Sequence, residues 1–379
     1  MSATPTSGRQ LRSLITASGT LELSLVDADL PELADDDVLV RVEAAPINPS
    51  DLAALVGYAD LDAAVASGTP DAPRVTAPVP TSYLRAVAAR VDRSLPVGNE
   101  GAGVVIAAGA SSAAQALLGK TVALAGGGMY AQYRITDAGS VLVMPDDVVP
   151  LEAASSFVNP MTALGFVETM RREGHTALVN TAAASNLGQM LVKLCLADGI
   201  GLVNIVRSDA QAEMLRSLGA QRVCNSASST FMSDLVAALV ATGATIVFDA
   251  VGGGRHAGTI HSAMEAALNQ PATSFSPYGS STHKQVYIYG ALDPGPTEIN
   301  RSFGLSWSLG GWLVRNFLDT IGVEAAGQLR ARAVAGLKTM FASNYTQQIS
   351  LSEALDLDTL GAYRRMATGE KYVITPHQS

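Results

Sequence analysis

The run Val179-Asn180-Thr181-Ala182-Ala183-Ala184-Ser185-Asn186-Leu187-Gly188 leads into a helix-patterned stretch, Gln189 to Ala197. Nineteen residues beyond Gly188 stands Arg207, at the end of a second apolar run, Leu202-Val203-Asn204-Ile205-Val206. Together they read as the start of a nucleotide-binding βαβ unit whose glycines have become other small residues. The register Gly-x-Gly-x-x-Gly appears as Ala183-x-Ser185-x-x-Gly188. Small side chains let the backbone approach a pyrophosphate, and a helix N-terminus offers N–H groups and the positive end of its dipole. Ser185, Asn186, Leu187 and Gly188 are therefore candidate cofactor-binding residues. Dinucleotide sites usually place Asp or Glu about twenty residues further on, to hold the ribose 2′-OH. Here Arg207 and Ser208 occupy that place. Arginine suits a 2′-phosphate and a carboxylate repels it, so the unit reads as built for NADPH. The other reading of Arg207, a solvated surface arginine, leaves the missing acid unexplained.

These residues need a scaffold, and the chain supplies it in two styles. The first part is strand-rich: Val38 to Ala44, Thr121 to Ala125 and Tyr130 to Ile135 alternate as strands do, with glycines breaking them. Near Pro150 the character changes to strands alternating with helices. Strands are expected at 176–180, 202–206, 222–224, 245–249 and 285–289, with helices at 187–197, 210–218 and 231–241. Such alternation makes an α/β fold with a parallel doubly wound sheet, whose ligand lies beyond the carboxyl ends of its strands. Those ends carry Asn180, Arg207, Asp249 and Tyr289. From about Ser308 the alternation fades. A helix at 345–355 and a strand at 371–375 are expected to return to the first domain. The expected division is a β-rich domain of residues 1–153 and 309–379, interrupted by a dinucleotide-binding Rossmann domain of residues 154–308.

Bulk properties narrow the function class. A net charge of −9 without a long basic run argues against nucleic acid. No apolar run reaches membrane-spanning length. The polar stretch Met1 to Gln10 lacks the apolar core of a secretory signal, which makes a cytoplasmic protein the expectation. Cys195 and Cys224 fall in expected core elements and read as buried thiols in a reducing compartment.

Several short patterns occur in order: Val40-x-Val42-x-Ala44-x-Pro46-Ile47-Asn48-Pro49-Ser50-Asp51, Val97-Gly98-Asn99-Glu100-Gly101-Ala102-Gly103, Asn159-Pro160-Met161-Thr162-Ala163, the degenerate glycine loop, Asp249-Ala250-Val251-Gly252-Gly253, and Thr368-Gly369-Glu370-Lys371. Over nearly the whole chain this resembles the medium-chain dehydrogenase/reductase superfamily. The resemblance implies a GroES-like catalytic domain beside the Rossmann domain, a homodimer, and cofactor contacts from Asn159, Thr162, Val251, Gly252, Tyr289, Gly290 and Lys371. Zinc alcohol dehydrogenases of that superfamily have Cys where this chain has Asn48 and His where it has Asn99; the third ligand position falls on Val158. Zinc needs Cys, His or carboxylate ligands, and no His or Cys precedes His175. The chain is thus more similar to the zinc-free quinone oxidoreductases and enoyl thioester reductases. Phe157 to Ala163 and Val203 to Arg207 look closest to the enoyl thioester reductases. Those enzymes carry a tyrosine two residues after a glycine, whereas Tyr58 follows Gly57 directly.

The resemblance implies hydride transfer from NADPH to a quinone or an α,β-unsaturated carbonyl compound, with an enoyl thioester reductase or a non-catalytic NADPH-binding protein as alternatives. Charge then grows on the substrate oxygen and a donor must meet it. Tyr58 is the candidate donor; otherwise it is an aromatic wall. Asn48 bonds nicotinamide or substrate, or simply builds a turn. Thr162 and Tyr289 either face the cofactor or pack. His175, His256, His261, His283 and His377 have no partner spacing and read as structural. Residues 59–97 look like an insertion roofing the substrate cleft, with a helix-like stretch around Leu84 to Val91. Its Arg85, Arg90 and Arg93 either meet an acidic substrate tail or form a solvated face. The loop Asn269 to Lys284 is a second lid candidate.

Overall fold

Continuous apolar runs along Ala177–Asn180 and Ile246–Asp249, buried on both faces, give the second half of the chain its architecture. In the computed structural model, which describes residues 4–378, these strands lie side by side in a parallel six-stranded sheet. The polar N-terminal stretch read above therefore lies partly outside the described residues. The sheet order is Arg222–Asn225, Gly201–Val206, Ala177–Asn180, Ile246–Asp249, Lys284–Ile288, Trp307–Gly311. Chain order runs outward from Ala177–Asn180 in both directions, as a doubly wound sheet requires. Leu178, Ile246 and Phe248 face one side, against helices Val158–Arg172, Asn186–Asp198 and Asp209–Ser217. Ala177, Val179, Val247 and Val286 face the other, against Phe231–Thr242 and His256–Asn269. Each buried Val, Leu, Ile or Phe side chain here contributes about 1.5–3 kcal/mol.

The chain divides into two compact units. Residues Met1–Val158 and Ala342–Ser379 form the first, and Asn159–Phe341 the second. The return to the first unit thus comes later than position 309. Trp307–Gly311 is a sixth parallel strand, paired with Lys284–Ile288. Beyond it, Ala333 and Phe341 are buried in the second unit's core. The sequence Trp-Ser-Leu-Gly-Gly alternates over only three residues before two glycines, and pairing with a neighbour makes it a strand. The other boundary moves from 153 to 158, the start of helix Val158–Arg172.

The first unit is built from two sheets. In one, Val65–Thr69, Ala72–Pro78, Thr20–Asp29, Ser7–Ile15 and Leu95–Pro96 follow in that order. In the other, the order is Leu142–Val143, Thr121–Ala125, Glu100–Ala108, Asp37–Pro46, Tyr372–Ile374, Gln347–Ile349, with Tyr133–Asp137 also paired to Asp37–Pro46. Two expectations change here. The stretch 345–355 is not a helix: Gln347–Ile349 pairs in parallel with Tyr372–Ile374, and only Glu353–Leu355 forms a 3₁₀ turn. The segment 59–97 is mainly a hairpin, Val65–Thr69 with Ala72–Pro78, that extends a sheet; its helices are confined to Thr81–Leu84 and two 3₁₀ turns. Among the described residues, no helix is long and apolar enough to cross a membrane. Cys195 and Cys224 are free and buried, and burial pushes their thiols up to about 12 and about 11.

Candidate functional site

The turn between Ala177–Asn180 and helix Asn186–Asp198 is built for close backbone approach. A Cβ on Gly188 would stand 2.1 Å from the Ala183 carbonyl oxygen, so only glycine fits there. Ser185 caps the helix, its Oγ accepting the Gly188 N–H at 3.1 Å. Ala182 takes φ 48°, a left-handed conformation that costs a non-glycine residue about 1–2 kcal/mol. Leu187 is 8% exposed and belongs to the core, so its side chain packs while its N–H stays at the helix start. Asn186 is half-buried beside it.

Arg207 follows the strand Gly201–Val206 and is exposed. Its backbone N–H donates to Gln211 Oε1 at 3.0 Å, and its guanidinium makes no ion pair among the described residues. The Ser208 Oγ caps the next helix by accepting the Gln211 N–H at 3.3 Å. That use leaves the Ser208 hydroxyl proton free to donate.

Asp249 ends its strand fully buried. It accepts the Thr181 hydroxyl at 2.8 Å, the Val251 N–H at 3.0 Å and the Gly252 N–H at 3.2 Å. The carboxylate therefore shapes the loop at Val251 and Gly252. Gly252 takes φ 81°, and a Cβ there would meet the Gly290 oxygen at 2.8 Å. The ends of Ile246–Asp249 and Lys284–Ile288 are consequently tight. Tyr289 packs edge-on against Phe166, with 4.8 Å between ring centres. Asn159 and Thr162, in the first turns of Val158–Arg172, are each 8% exposed.

The first unit holds a buried polar cluster. Glu100 is 0% exposed, and it accepts the Asn48 amide at 2.8 Å and the Phe157 and Val158 N–H groups at 2.9 Å each. Burial pushes its carboxyl up; Lys371 and the three N–H donors oppose that. Asp51, 1% exposed, accepts the Asn48 N–H at 2.8 Å and the Asn99 N–H at 2.7 Å. Burial, with some help from Glu100, pushes Asp51 up to about 7 against those two donors. Lys371 is 4% exposed, and burial pushes its ammonium down to about 8 against the pull of Glu100 and Asp51. Its Nζ donates to Ser155 Oγ at 2.7 Å and Ser343 Oγ at 3.1 Å. Tyr130 is fully buried, its hydroxyl donating to the Pro46 carbonyl at 3.2 Å.

Residues 34–146 match the Alcohol dehydrogenase GroES-like domain family. The mitochondrial enoyl-acyl-carrier-protein reductase of Xenopus tropicalis is 31% identical over 210 residues, 53% of this chain and 51% of that protein. The "Probable quinone oxidoreductase" of Leishmania amazonensis is 28% identical over 307 residues, 79% of this chain and 78% of its own. A solved candidate NADPH:quinone reductase of Mesorhizobium loti has a TM-score of 0.74 at 25% identity, covering 99% of this chain and 100% of that one. Along its length the chain is similar to reductases of the medium-chain dehydrogenase/reductase superfamily, and residues 34–146 carry its GroES-like domain. It spans about half the length of curated relatives such as the enoyl reductase.

Against the superfamily's zinc-binding members, the ligand positions here are used for hydrogen bonding. The Asn48 amide is committed to Glu100, the Asn99 amide donates to Ser50 Oγ at 3.1 Å, and Val158 offers no side-chain donor atom. The donor set does not fit zinc. Tyr58 is 46% exposed and stacked on Tyr83, ring centres 4.0 Å apart. Arg90 is anchored inward, on Ser13 Oγ at 2.8 Å and the Ala53 carbonyl at 3.3 Å, so it leaves the arginine set proposed for an acidic tail. Arg85 and Arg93 are exposed. In the sequence, Glu100 stands only as part of a motif and Asp51 only as part of a turn pattern. The available signal was an acid inside the otherwise apolar and glycine-rich run Val97 to Val105.

The Asp51 carboxyl generates a pH prediction. Its folded value, about 7, lies above the unfolded 3.8, so the folded state holds a proton that the unfolded state releases between them. Its stabilising contribution is fully present below the unfolded value and is lost as pH rises through about 7. Relative to Asp51→Asn, the wild type should lose up to roughly 3 kcal/mol of stability between about pH 5 and about pH 7.5. Chemical denaturation of both proteins across that range measures it. Parallel stability curves would show Asp51 to be ionised throughout.

Proposed function

We propose that the chain is an NADPH-dependent, zinc-independent reductase that acts on a quinone or an α,β-unsaturated carbonyl compound. The observation that carries this reading is the tight turn at Gly188, where a Cβ would meet the Ala183 carbonyl oxygen, followed one strand later by an exposed Arg207 with no ion pair among the described residues. When bound, NADPH supplies hydride from nicotinamide C4. The N–H groups at the start of Asn186–Asp198, with Ser185, meet the pyrophosphate. Arg207 pairs with the 2′-phosphate, and Ser208 donates beside it. Val251, Gly252, Tyr289 and Gly290 line the carboxyl edge of the same sheet, with Asn159 and Thr162 as further contacts. The identity of the Leishmania amazonensis and Mesorhizobium loti proteins supports the quinone reading. An enoyl thioester substrate is the second reading, favoured by the 31% identity to the Xenopus tropicalis enoyl reductase.

Within this reading Asn48 positions Glu100, since its amide is buried and committed. Tyr58 is the candidate donor to charge developing on the substrate oxygen. Its exposed phenol is accessible in a way that the buried Tyr130 is not.

The reading is tested by following NADPH oxidation against quinones, enones and enoyl-CoA esters. Turnover with quinones or enones supports it, turnover with enoyl esters alone favours the second reading, and tight NADPH binding without turnover points to a binding protein. Arg207→Asp should weaken NADPH binding and move preference toward NADH. Equal affinity of the wild type for both nucleotides would remove the role given to Arg207.

Tyr58→Phe should lower kcat and kcat/KM together, on the order of a hundredfold, while NADPH affinity holds. A loss of about threefold or less, in a variant with unchanged thermal transition, would leave Tyr58 as a wall residue.

Purified protein should hold no stoichiometric zinc and should keep its activity in chelator. One tightly bound zinc per chain by elemental analysis would refute the zinc-independent assignment.

A further inference from the structure

Lys371, expected to touch the cofactor, has its ammonium hydrogen-bonded inside the first unit. Its Nζ donates to Ser155 and Ser343 and lies 5.2 Å from the centre of the Tyr345 ring. The Tyr345 hydroxyl and Ser155 Oγ are themselves 2.8 Å apart. On the backbone, Thr346 N–H donates to the Lys371 carbonyl at 2.9 Å, and Lys371 N–H donates to Thr346 Oγ1 at 3.0 Å. Glu100, whose charge acts on Lys371, holds the Phe157 and Val158 N–H groups.

The positions of these partners along the chain give them a common meaning. The chain leaves the first unit after Val158 and re-enters it at Ala342. Ser155, Phe157 and Val158 are among the last residues before departure. Ser343, Tyr345 and Thr346 are among the first after return. The two segments are remote in sequence, and one buried ammonium bonds both. Every one of these contacts lies within the first unit.

We propose that Lys371 and Glu100 are positioning residues, forming a buried anchor that ties together the two segments through which the chain leaves and re-enters the first unit. An ammonium is suited to this, because it presents three donors from one point and can hold several chain segments at once. Apolar contact could bury the same surface but would not fix direction. The anchor also sets the start of helix Val158–Arg172, whose first turns carry Asn159 and Thr162. Lys371 thus acts through other residues.

Native-state hydrogen exchange on the full chain, without nucleotide, tests the anchor independently of the reductase reading. In Lys371→Met, the amides of Phe157, Val158 and Thr346 should all exchange at least roughly tenfold faster, while those of the central strand Asp37–Pro46 keep their rates. Ser343→Ala removes one hydroxyl and keeps both charges, so it serves even if Lys371→Met fails to fold. It should accelerate Thr346 and, through the shared ammonium, Phe157 and Val158 as well. Acceleration of Thr346 alone, or of none of the three, overturns the anchor. So does a Lys371→Met protein that loses NADPH affinity with all three amides still protected, since Lys371 would then contact the cofactor directly.

Discussion

Glu100 is a carboxylate with no access to water, so the protein must supply its partners. Much of the first unit's local order follows from that requirement. One oxygen takes the amide of Asn48, which precedes the helix Pro49–Leu55; the other takes two successive N–H groups where the helix Val158–Arg172 begins. Lys371 offsets the charge and brings Ser155 and Ser343 with it. A buried acid of this kind is costly alone and tolerable only in a complete network. Every member therefore constrains where the others stand.

The nearby Asp51 shows the same physics at a different balance. It has two backbone donors, and burial, with the Glu100 charge adding to it, prevails, raising its carboxyl to about 7. With Glu100 and Lys371 so close, the cluster is nearer neutrality when Asp51 holds its proton. Asn48 and Asn99, at the positions likened to zinc-ligand positions, donate their amides to Glu100 and Ser50. Polar character is kept there while the ability to bind a soft cation is not.

In the second unit the governing constraint is distance. Two glycine contacts set it: Gly188 against Ala183, and Gly252 against Gly290. Elsewhere in the nucleotide turn alanine and serine replace glycine, and Ala182 bears the strained conformation that glycine would relieve. The degraded motif is explained by this difference. Steric exclusion is absolute where backbone would meet a new Cβ at 2.1 Å, and moderate where only φ is unfavourable.

The sequence alone determined the parallel sheet. Most strands and helices between positions 176 and 289 were legible because they are buried on repeating faces, and burial writes itself into local periodicity; the helix His256–Asn269 was not among those expected. The small-residue turn at Ser185 to Gly188 and the placement of Arg207 after the strand Gly201–Val206 were legible for a related reason, since turn chemistry is local. Tertiary structure decided the rest. Trp307–Gly311 and Gln347–Ile349 become strands by pairing with partners distant in sequence, and the hairpin of residues 65–78 does so by extending an existing sheet. The joining of Glu100, Lys371, Ser155 and Ser343 has no sequence signature at all. A buried charge is recognisable only once the atoms around it are known, because its partners come from wherever the fold brings them.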